Sequence, residues 1–224
     1  DNLESLILDL KKKKINGINI TVPFKKEITS YLDSLTPEAE KTRSVNTVYL
    51  SGNKIIGHNT DIFGFEKSLE YVNFNPSGKK VFILGAGGVA PSIIYALRKM
   101  KVSEIFLTNR TKSKAEDLKN LFTDLNIIGW GEVPNFDMIV NATSLGLNKD
   151  DKINIDFSKV ESNKFFYDVI YNPSETSFLK MGKSLGNKIE NGKMMFIFQA
   201  SAAFNIWHEI DPKINDDVIK ILDK

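Results

Sequence analysis

The sequence predicts an α/β fold in which helices flank a mostly parallel sheet. The first observation is a short, almost wholly apolar run at Lys80–Leu84, as expected of a strand buried on both faces. A glycine-rich turn, an apolar-periodic helix and a second apolar run at Glu104–Thr108 follow, completing a strand–helix–strand unit. Two later apolar runs, Asp137–Asn141 and Phe165–Ile170, alternate with helical patterns. This alternation is typical of a Rossmann-type parallel sheet.

The composition excludes several classes of function. The chain has 224 residues, 42% of them hydrophobic, which suits one large or two small domains. Its 30 basic and 28 acidic residues are interspersed, so no charged surface is expected for nucleic acid or a membrane. No cysteine is present and the only histidines are His58 and His208, so we expect no disulfide, no thiolate chemistry and no metal site. No apolar run approaches the span of a bilayer and the start at Asp1 does not resemble a signal peptide, so we expect a cytoplasmic protein.

The first 75 residues mix helices with short strands. We expect a helix over 2–14 that stops at Asn16-Gly17, a strand over 18–22, a helix over 24–32, a hairpin of strands 45–50 and 54–56, and a helix over 62–72. Thr36-Pro37 starts a further helix, with threonine as the cap and proline at the first position. Asn75–Gly78 is the best candidate for a domain boundary.

The stretch from Gly17 to Lys26 combines a short apolar strand with polar groups. Pro23 suits the end of that strand, which holds Lys25 near a strand-to-helix corner. Asn19 and Thr21 are two residues apart and point to the same side. Such a corner could bind a polyhydroxylated small molecule, although this stretch alone favours an ordinary strand with a solvated lysine.

The turn after the first buried strand has the spacing of a dinucleotide site. Gly85 permits the tight turn, Gly87 lets a pyrophosphate approach the backbone, and Ala90 lets the helix pack close to the strand. The helix N-terminus then offers free N–H groups to phosphate. A glycine-rich turn without a ligand is the alternative, and the position between strand and helix argues against it.

The end of the second buried strand favours NADP over NAD. NAD-specific folds usually place an acid there to bind the ribose 2′-hydroxyl, whereas this chain has Asn109-Arg110-Thr111. Arg110 can stack on adenine and pair with a 2′-phosphate, assisted by Lys114. The alternative is that Arg110 and Lys114 only lie at the start of a solvent-exposed helix over 112–122.

The remaining patterns place more polar residues at strand and helix ends. The loop Ala142–Gly146 follows a strand at its carboxyl end, where open α/β sheets bind ligands. Thr176 caps a helix over 177–185, and a long last helix runs over 192–210. Met195 and Gln199 share a face of that helix. Trp207 lies near the end of this last helix, and we expect it to have only a structural role.

Together these motifs resemble the shikimate dehydrogenase family. The matching runs, in order along the whole chain, are Asn19-x-Thr21-x-Pro23-x-Lys25, Val45-Asn46-Thr47, Asn59-Thr60-Asp61, Gly85-Ala86-Gly87-Gly88, Asn109-Arg110-Thr111, Asn141-Ala142-Thr143-Ser144, Asp168-x-x-Tyr171-x-Pro173-x-x-Thr176 and Gly192-x-x-Met195-x-x-x-Gln199-Ala200. Each run is modest alone, and their joint occurrence in this order is specific.

The resemblance implies an oxidoreductase that interconverts 3-dehydroshikimate and shikimate with NADP(H), in chorismate and aromatic amino acid biosynthesis. It implies a discontinuous substrate domain, residues 1–61 and 192–224, beside an NADP-binding domain, residues 62–191, with the active site between them. A monomer or homodimer acting on a small molecule is expected, without nucleic acid or membrane.

The family motifs also assign residue roles by resemblance. Lys25 and Asp61 are implied as the catalytic pair, with Lys25 either the proton donor or an electrostatic clamp. Substrate contacts are implied for Thr21, Asn46, Tyr171 and Gln199, with Asn19 supporting the pocket. Cofactor contacts are implied for Gly85, Ala86, Gly87, Gly88, Asn109, Arg110, Thr111, Lys114, Ala142, Thr143, Gly192 and Met195.

One family feature has no match in this sequence. The family carries a leading strand with a Ser-x-Ser motif that binds the substrate carboxylate, and nothing in Asp1–Asn16 matches it. Two alternatives to the NADP-dependent enzyme stay open. One is a quinate/shikimate dehydrogenase that prefers NAD or has a broader substrate range. The other, which the missing strand favours, is a non-catalytic relative that binds a metabolite or nucleotide.

Overall fold

The structure, a computed structural model, describes residues 3–148 and 150–222. Within these ranges the chain forms one four-stranded and one six-stranded sheet, flanked by helices. The predicted α/β fold is confirmed. The expected first helix begins at residue 2, which lies outside the described residues.

The helices and strands have the following bounds. The helices are α1 (Leu3–Lys11), α2 (Pro37–Thr42), α3 (Asp61–Tyr71), α4 (Ala90–Lys99), α5 (Lys112–Leu121), α6 (Ser177–Ser184), α7 (Lys193–His208) and α8 (Asp216–Ile221), with a 3₁₀ helix at Glu27–Tyr31. The strands are β1 (Gly17–Asn19), β2 (Ser34–Leu35), β3 (Thr47–Ser51), β4 (Lys54–His58), β5 (Lys80–Leu84), β6 (Glu104–Thr108), β7 (Asn126–Ile127), β8 (Met138–Asn141), β9 (Phe165–Asp168) and β10 (Lys188–Glu190).

The smaller sheet has the strand order β1-β3-β4-β2. The predicted hairpin forms its centre, because β3 and β4 pair antiparallel around the turn at Gly52, whose φ is +59°. Ile7 and Leu10 of α1 pack against this sheet with Val48 and Ile55. A separate apolar core therefore supports the N-terminal part of the chain.

The larger sheet is parallel throughout and has the order β10-β9-β8-β5-β6-β7. Successive residues of β5 face opposite layers, so that Ile83 packs with α3 and α4 while Phe82 packs with Phe178 of α6. The chain leaves β5 towards β6 on one side and returns to β8 on the other. Open parallel sheets bind ligands at the point where the strand order switches direction, which in this sheet lies between β5 and β8.

Helices α3 and α7 pack closely between the two sheets. At Gly64 of α3, an added Cβ would lie 2.6 Å from the carbonyl oxygen of Met195 on α7. Helix α3 also contacts the larger sheet, because the hydroxyl of its Ser68 lies 2.8 Å from the hydroxyl of Tyr167 on β9. The pair of helices α3 and α7 is therefore held against the larger sheet.

Several predicted boundaries are wrong. The strand expected over 18–22 ends at Asn19, and the helix expected over 24–32 is only a 3₁₀ helix, because a turn closed by the Phe24 N–H on the Thr21 carbonyl at 2.9 Å precedes it. The left-handed residue after α1 is Lys13, with φ of 56°, and not Asn16 or Gly17. Gly17 belongs to β1, where a Cβ would overlap the indole of Trp207. Strands β2, β7 and β10 and helix α8 were not predicted.

Candidate active site

Lys25 and Asp61 form an ion pair at the base of a cleft. Lys25 lies in the turn after β1, and Asp61 is the first residue of α3. The Lys25 ammonium donates a hydrogen bond to Asp61 Oδ2, and the two side chains are only 12% and 10% exposed. The positive end of the α3 dipole also favours the carboxylate. A buried pair of this kind differs from a surface ion pair, because losing one partner leaves an uncompensated buried charge.

Asn46 holds Asp61 in place. Its Nδ2 donates to Asp61 Oδ1 at 2.8 Å and lies 2.9 Å from Thr60 Oγ1, while its Oδ1 accepts from the Thr60 N–H at 2.8 Å. The same Nδ2 is 3.3 Å from Oε1 of Gln199 on α7. Residues far apart in sequence thus form one polar cluster around the carboxylate.

The polar residues of the opening stretch lie on the same wall. Asn19 donates to the Asn46 carbonyl at 3.2 Å and to the Thr47 hydroxyl at 3.3 Å. Asn19 and Thr21 are exposed and line the cavity, although Thr21 lies beyond the end of β1. This arrangement favours a binding surface over an ordinary solvated strand.

A cavity of about 1170 Å³ runs between the two sheets. It brings together all the predicted site residues, namely Thr21, Lys25, Asn46, Asp61, Tyr171 and Gln199 at one end, and Gly85, Ala86, Gly87, Gly88, Asn109, Arg110, Thr111, Lys114, Ala142, Thr143, Gly192 and Met195 along the rest. No group of three or more potential metal ligands occurs among the described residues. None of the described helices is long and apolar enough to cross a membrane.

The glycine-rich turn has the backbone expected of a phosphate cradle. Gly85 has φ of +102°, and a Cβ there would lie 2.7 Å from Thr143 Cγ2. A Cβ on Gly87 would meet only the Ala142 carbonyl oxygen, at 3.6 Å, so the space beside this residue is open. Ala90 is fully buried at the start of α4, as the close helix packing requires. The turn therefore fits a pyrophosphate at the N-terminus of α4.

The other end of the cavity is positively charged. Asn109 accepts a hydrogen bond from the Ala86 N–H at 3.0 Å and donates to the Thr111 carbonyl at 2.7 Å, which joins the glycine turn to the loop after β6. Arg110 and Lys114 are exposed beside it. An exposed guanidinium and ammonium fit a 2′-phosphate.

A buried carboxylate joins the loops after β8 and β9. Asp168 accepts hydrogen bonds from Asn141 Nδ2 at 3.0 Å, the Ile170 N–H at 3.0 Å and the Thr176 hydroxyl at 2.6 Å. Asn141 in turn accepts from the Thr143 hydroxyl at 2.7 Å. Burial raises the pKa of Asp168 to about 6, even though its three hydrogen bonds oppose the shift.

Gly192 fixes the start of α7 against the loop after β9. A Cβ at this position would overlap the Val169 carbonyl, and the Gly192 N–H donates to the Ile170 carbonyl at 3.1 Å. Glycine is therefore required sterically, and Met195 is placed on the first turn of the helix beside the cavity.

Sequence reasoning missed several residues that line the cavity. Trp130 belongs to the loop after β7 and to none of the motifs, so no sequence signal indicated it. Phe196 follows Met195 and precedes Gln199 by three positions, so the helical period could have placed it on the same face. Val22 also lines the cavity, and a Cβ on Gly88 would lie 3.0 Å from its methyl carbon.

Comparison with known proteins places these features in one family. The family profile for the shikimate dehydrogenase substrate binding domain matches residues 1–48, and that for shikimate / quinate 5-dehydrogenase matches residues 68–168. The chain is 56% identical over 221 residues to a shikimate dehydrogenase (NADP(+)) of Pelagibacter ubique, covering 99% of this chain and 83% of the relative.

Solved structures agree with this match. A shikimate dehydrogenase from Aquifex aeolicus superposes with a TM-score of 0.89 at 35% identity, covering 99% of this chain and 82% of that one. A shikimate dehydrogenase in complex with NADP⁺ superposes with a TM-score of 0.90 at 34% identity, covering 99% and 80%. The chain belongs to the shikimate dehydrogenase family.

Proposed function

We propose that the cleft between the two sheets is where the chain carries out the reaction of its family. That reaction is the reversible NADP-dependent interconversion of 3-dehydroshikimate and shikimate, and the chain is an NADP-dependent oxidoreductase. The observation that supports this site most strongly is the buried ion pair of Lys25 and Asp61 at the end of a cavity whose other end fits a nucleotide.

The cofactor fits the residues along the cavity. Gly85 to Gly88 and the start of α4 would hold the pyrophosphate, while Asn109, Arg110, Thr111 and Lys114 would hold the 2′-phosphoadenosine end. Ala142, Thr143, Gly192 and Met195 would lie towards the ribose and nicotinamide. When bound, NADPH supplies the hydride to the substrate carbonyl carbon.

Lys25 is the proposed proton donor. Reduction of a ketone builds negative charge on its oxygen, and an ammonium at that position stabilises the charge and gives up a proton. Asp61 would keep the Lys25 ammonium oriented, because one of its carboxylate oxygens accepts from that ammonium while the other is fixed by Asn46. Both side chains are poised to hydrogen-bond the substrate hydroxyl next to the reacting carbon.

The polar cluster supplies the proposed substrate contacts. Thr21, Asn46 and Gln199 would bind ring hydroxyls, and Tyr171 would also contact the substrate. Asn46 and Gln199 are already joined at 3.3 Å, so this part of the site is organised before substrate enters.

A two-domain division follows from this placement of the site. The proposed substrate domain is 1–61 with 192–224, and the proposed NADP domain is 62–191. The supporting features are the separate core of the smaller sheet, the cavity between the sheets and the contact of Gln199 with Asn46, although Met195 of the last segment packs in the core of the larger sheet. We expect the protein to be located in the cytoplasm, because a chain without cysteine needs no oxidising compartment.

We expect the protein to be a monomer or a homodimer, and sedimentation velocity distinguishes these two forms.

The direct test is NADP⁺ reduction with shikimate as substrate. We expect Lys25→Ala to lower kcat by about 10²–10⁴-fold and to change KM far less, because the interaction lost belongs to the transition state. Lys26→Ala is the matched control, since Lys26 is exposed and does not line the cavity. A wild-type chain that reduces neither NADP⁺ nor NAD⁺ with shikimate would refute the enzyme and favour a metabolite-binding relative. Turnover with NAD⁺ and quinate in preference would favour the NAD-dependent alternative.

A further inference from the structure

Two aromatic side chains stack on the wall of the cleft. Tyr171 lies in the loop after β9, and Phe196 lies in the first turn of α7. Their ring centroids are 4.7 Å apart and their planes meet at 28°, which is a stacked arrangement. Both rings line the cavity.

The position of Phe196 is not explained by the apolar core. Helix α7 buries Met194, Met195 and Ile197, each less than 7% exposed, whereas Phe196 remains 37% exposed. Leaving a large aromatic side chain this open forgoes much of the free energy that its burial would provide. Its main aromatic contact is with Tyr171, at the edge of the proposed substrate site.

Stacking restricts the direction of the Tyr171 hydroxyl. This hydroxyl lies in the plane of its ring, so a neighbour that fixes the ring plane also limits where the hydroxyl points. The backbone of Phe196 is linked to the polar cluster, because Gln199 Nε2 donates to the Phe196 carbonyl at 3.0 Å while Gln199 Oε1 lies 3.3 Å from Asn46 Nδ2. The aromatic pair and the polar cluster are therefore parts of one connected wall.

We propose that Phe196 is a positioning residue that holds the ring of Tyr171 for contact with the substrate. This inference rests on the proposed function, in which Tyr171 contacts shikimate. Phe196 acts through Tyr171 and makes no chemical contribution of its own. Its expected effect is on the binding of the cyclic substrate and not on the cofactor.

The test is a double-mutant cycle on the KM for shikimate. The variants are Phe196→Leu, Tyr171→Phe and the two combined, with Phe196→Tyr as the conservative replacement that keeps a ring. Phe204→Leu is the matched control, because Phe204 is a similarly exposed aromatic of α7, 39% exposed, whose ring packs at a tilt against His208 outside the cavity. Thermal melts establish that each variant is folded.

We expect Phe196→Leu to raise the KM for shikimate by roughly three- to tenfold, the range expected for an aromatic pair. The KM for NADP⁺ and kcat should stay within about twofold, Phe196→Tyr should restore the wild-type KM, and Phe204→Leu should change nothing. In the Tyr171→Phe background, Phe196→Leu should add less than about twofold.

Two results would overturn the inference while leaving the proposed function intact. One is an unchanged KM in Phe196→Leu; the other is a full additional rise in the Tyr171→Phe background, which would mean that Phe196 contacts substrate directly. Absence of turnover by the wild-type chain would instead overturn the proposed function, and this inference with it.

Discussion

We expect the preference for NADP to depend chiefly on Arg110. It is exposed beside Lys114, and the acid that NAD-specific folds place at this strand end is absent. The guanidinium has a planar set of donors that matches phosphate oxygens, and such charge-assisted bonds are worth about 1.5–3 kcal/mol.

Arg110→Ala should therefore raise the KM for NADP⁺ by about 10–100-fold and leave the KM for NAD⁺ nearly unchanged. Steady-state kinetics with both cofactors at saturating shikimate measure this. Lys112→Ala is the control, because Lys112 is an exposed base nearby that does not line the cavity. An equal loss with both cofactors would show that Arg110 does not contact the 2′-phosphate.

Asp168 makes a second residue-level prediction, for stability against pH. Its folded pKa of about 6 lies above the ordinary value of 3.8. Between these values the folded chain holds a proton that the unfolded chain has lost, so the contribution of Asp168 to stability falls as pH rises from 4 to 6. The gap corresponds to about 3 kcal/mol at most.

Asp168→Asn removes this titration. The free energy of unfolding of the wild type minus that of the variant should decrease by up to about 3 kcal/mol between pH 4 and pH 7. Urea denaturation at a series of pH values measures the difference, with Asp156→Asn as an exposed control whose pKa lies below its ordinary value. A difference that stays constant, or that grows with pH, would contradict the assignment.

At the scale of elements, the packing of α3 on α7 depends on a glycine. A Cβ at Gly64 would lie 2.6 Å from backbone of α7, which cannot move as a side-chain end can. Helix propensity alone favours alanine over glycine by about 0.5–1 kcal/mol, whereas overpacking costs about 1–3 kcal/mol.

Gly64→Ala should therefore destabilise the chain by about 1–2 kcal/mol net in urea denaturation. Lys67→Ala on the same helix is the control and should stay within about 0.5 kcal/mol, because Lys67 is partly exposed and its ion pair with Glu70 lies at the surface. A Gly64→Ala variant that is at least as stable as the wild type would contradict this prediction. It would mean that the gain in helix propensity outweighs the cost of overpacking between α3 and α7.

Elements with a strong pattern could be predicted from the sequence, and short ones could not. Strands β5 and β6 are apolar runs with clear turn signals, and their bounds at 80–84 and 104–108 were predicted as observed. Strands β7 and β10 span two and three residues and exist because a neighbouring strand pairs with them. The Ile20 N–H still donates to the Asn46 carbonyl at 2.8 Å, in register with β1, and the turn closed by the Phe24 N–H on the Thr21 carbonyl then takes the chain away from the sheet.

The same distinction applies to the site. Lys25, Asp61 and the glycine turn belong to motifs, so they could be predicted. Trp130 and Phe196 lie outside those motifs or at unassigned positions within them, and only the folded chain brings them to the cavity.

At the scale of the whole molecule, polar contacts join the parts on either side of the cleft. Asn59 of the N-terminal part donates to the Ser92 hydroxyl on α4 at 2.9 Å, and both residues are fully or almost fully buried. Ser44 Oγ lies 3.5 Å from the carbonyl of Gly88 in the phosphate turn. These contacts set how far the Lys25–Asp61 pair lies from the cofactor end of the cavity.

We propose that Lys25 and Asp61 act as one catalytic unit. A double-mutant cycle on the single-turnover rate of NADPH oxidation by 3-dehydroshikimate, with Lys25→Ala, Asp61→Ala and the combined variant, tests it most directly. We predict that each single variant loses about 10²–10⁴-fold and that the combined variant is little slower than the worse single one. Losses that multiply in the combined variant, or a single variant that retains the wild-type rate, would contradict the claim.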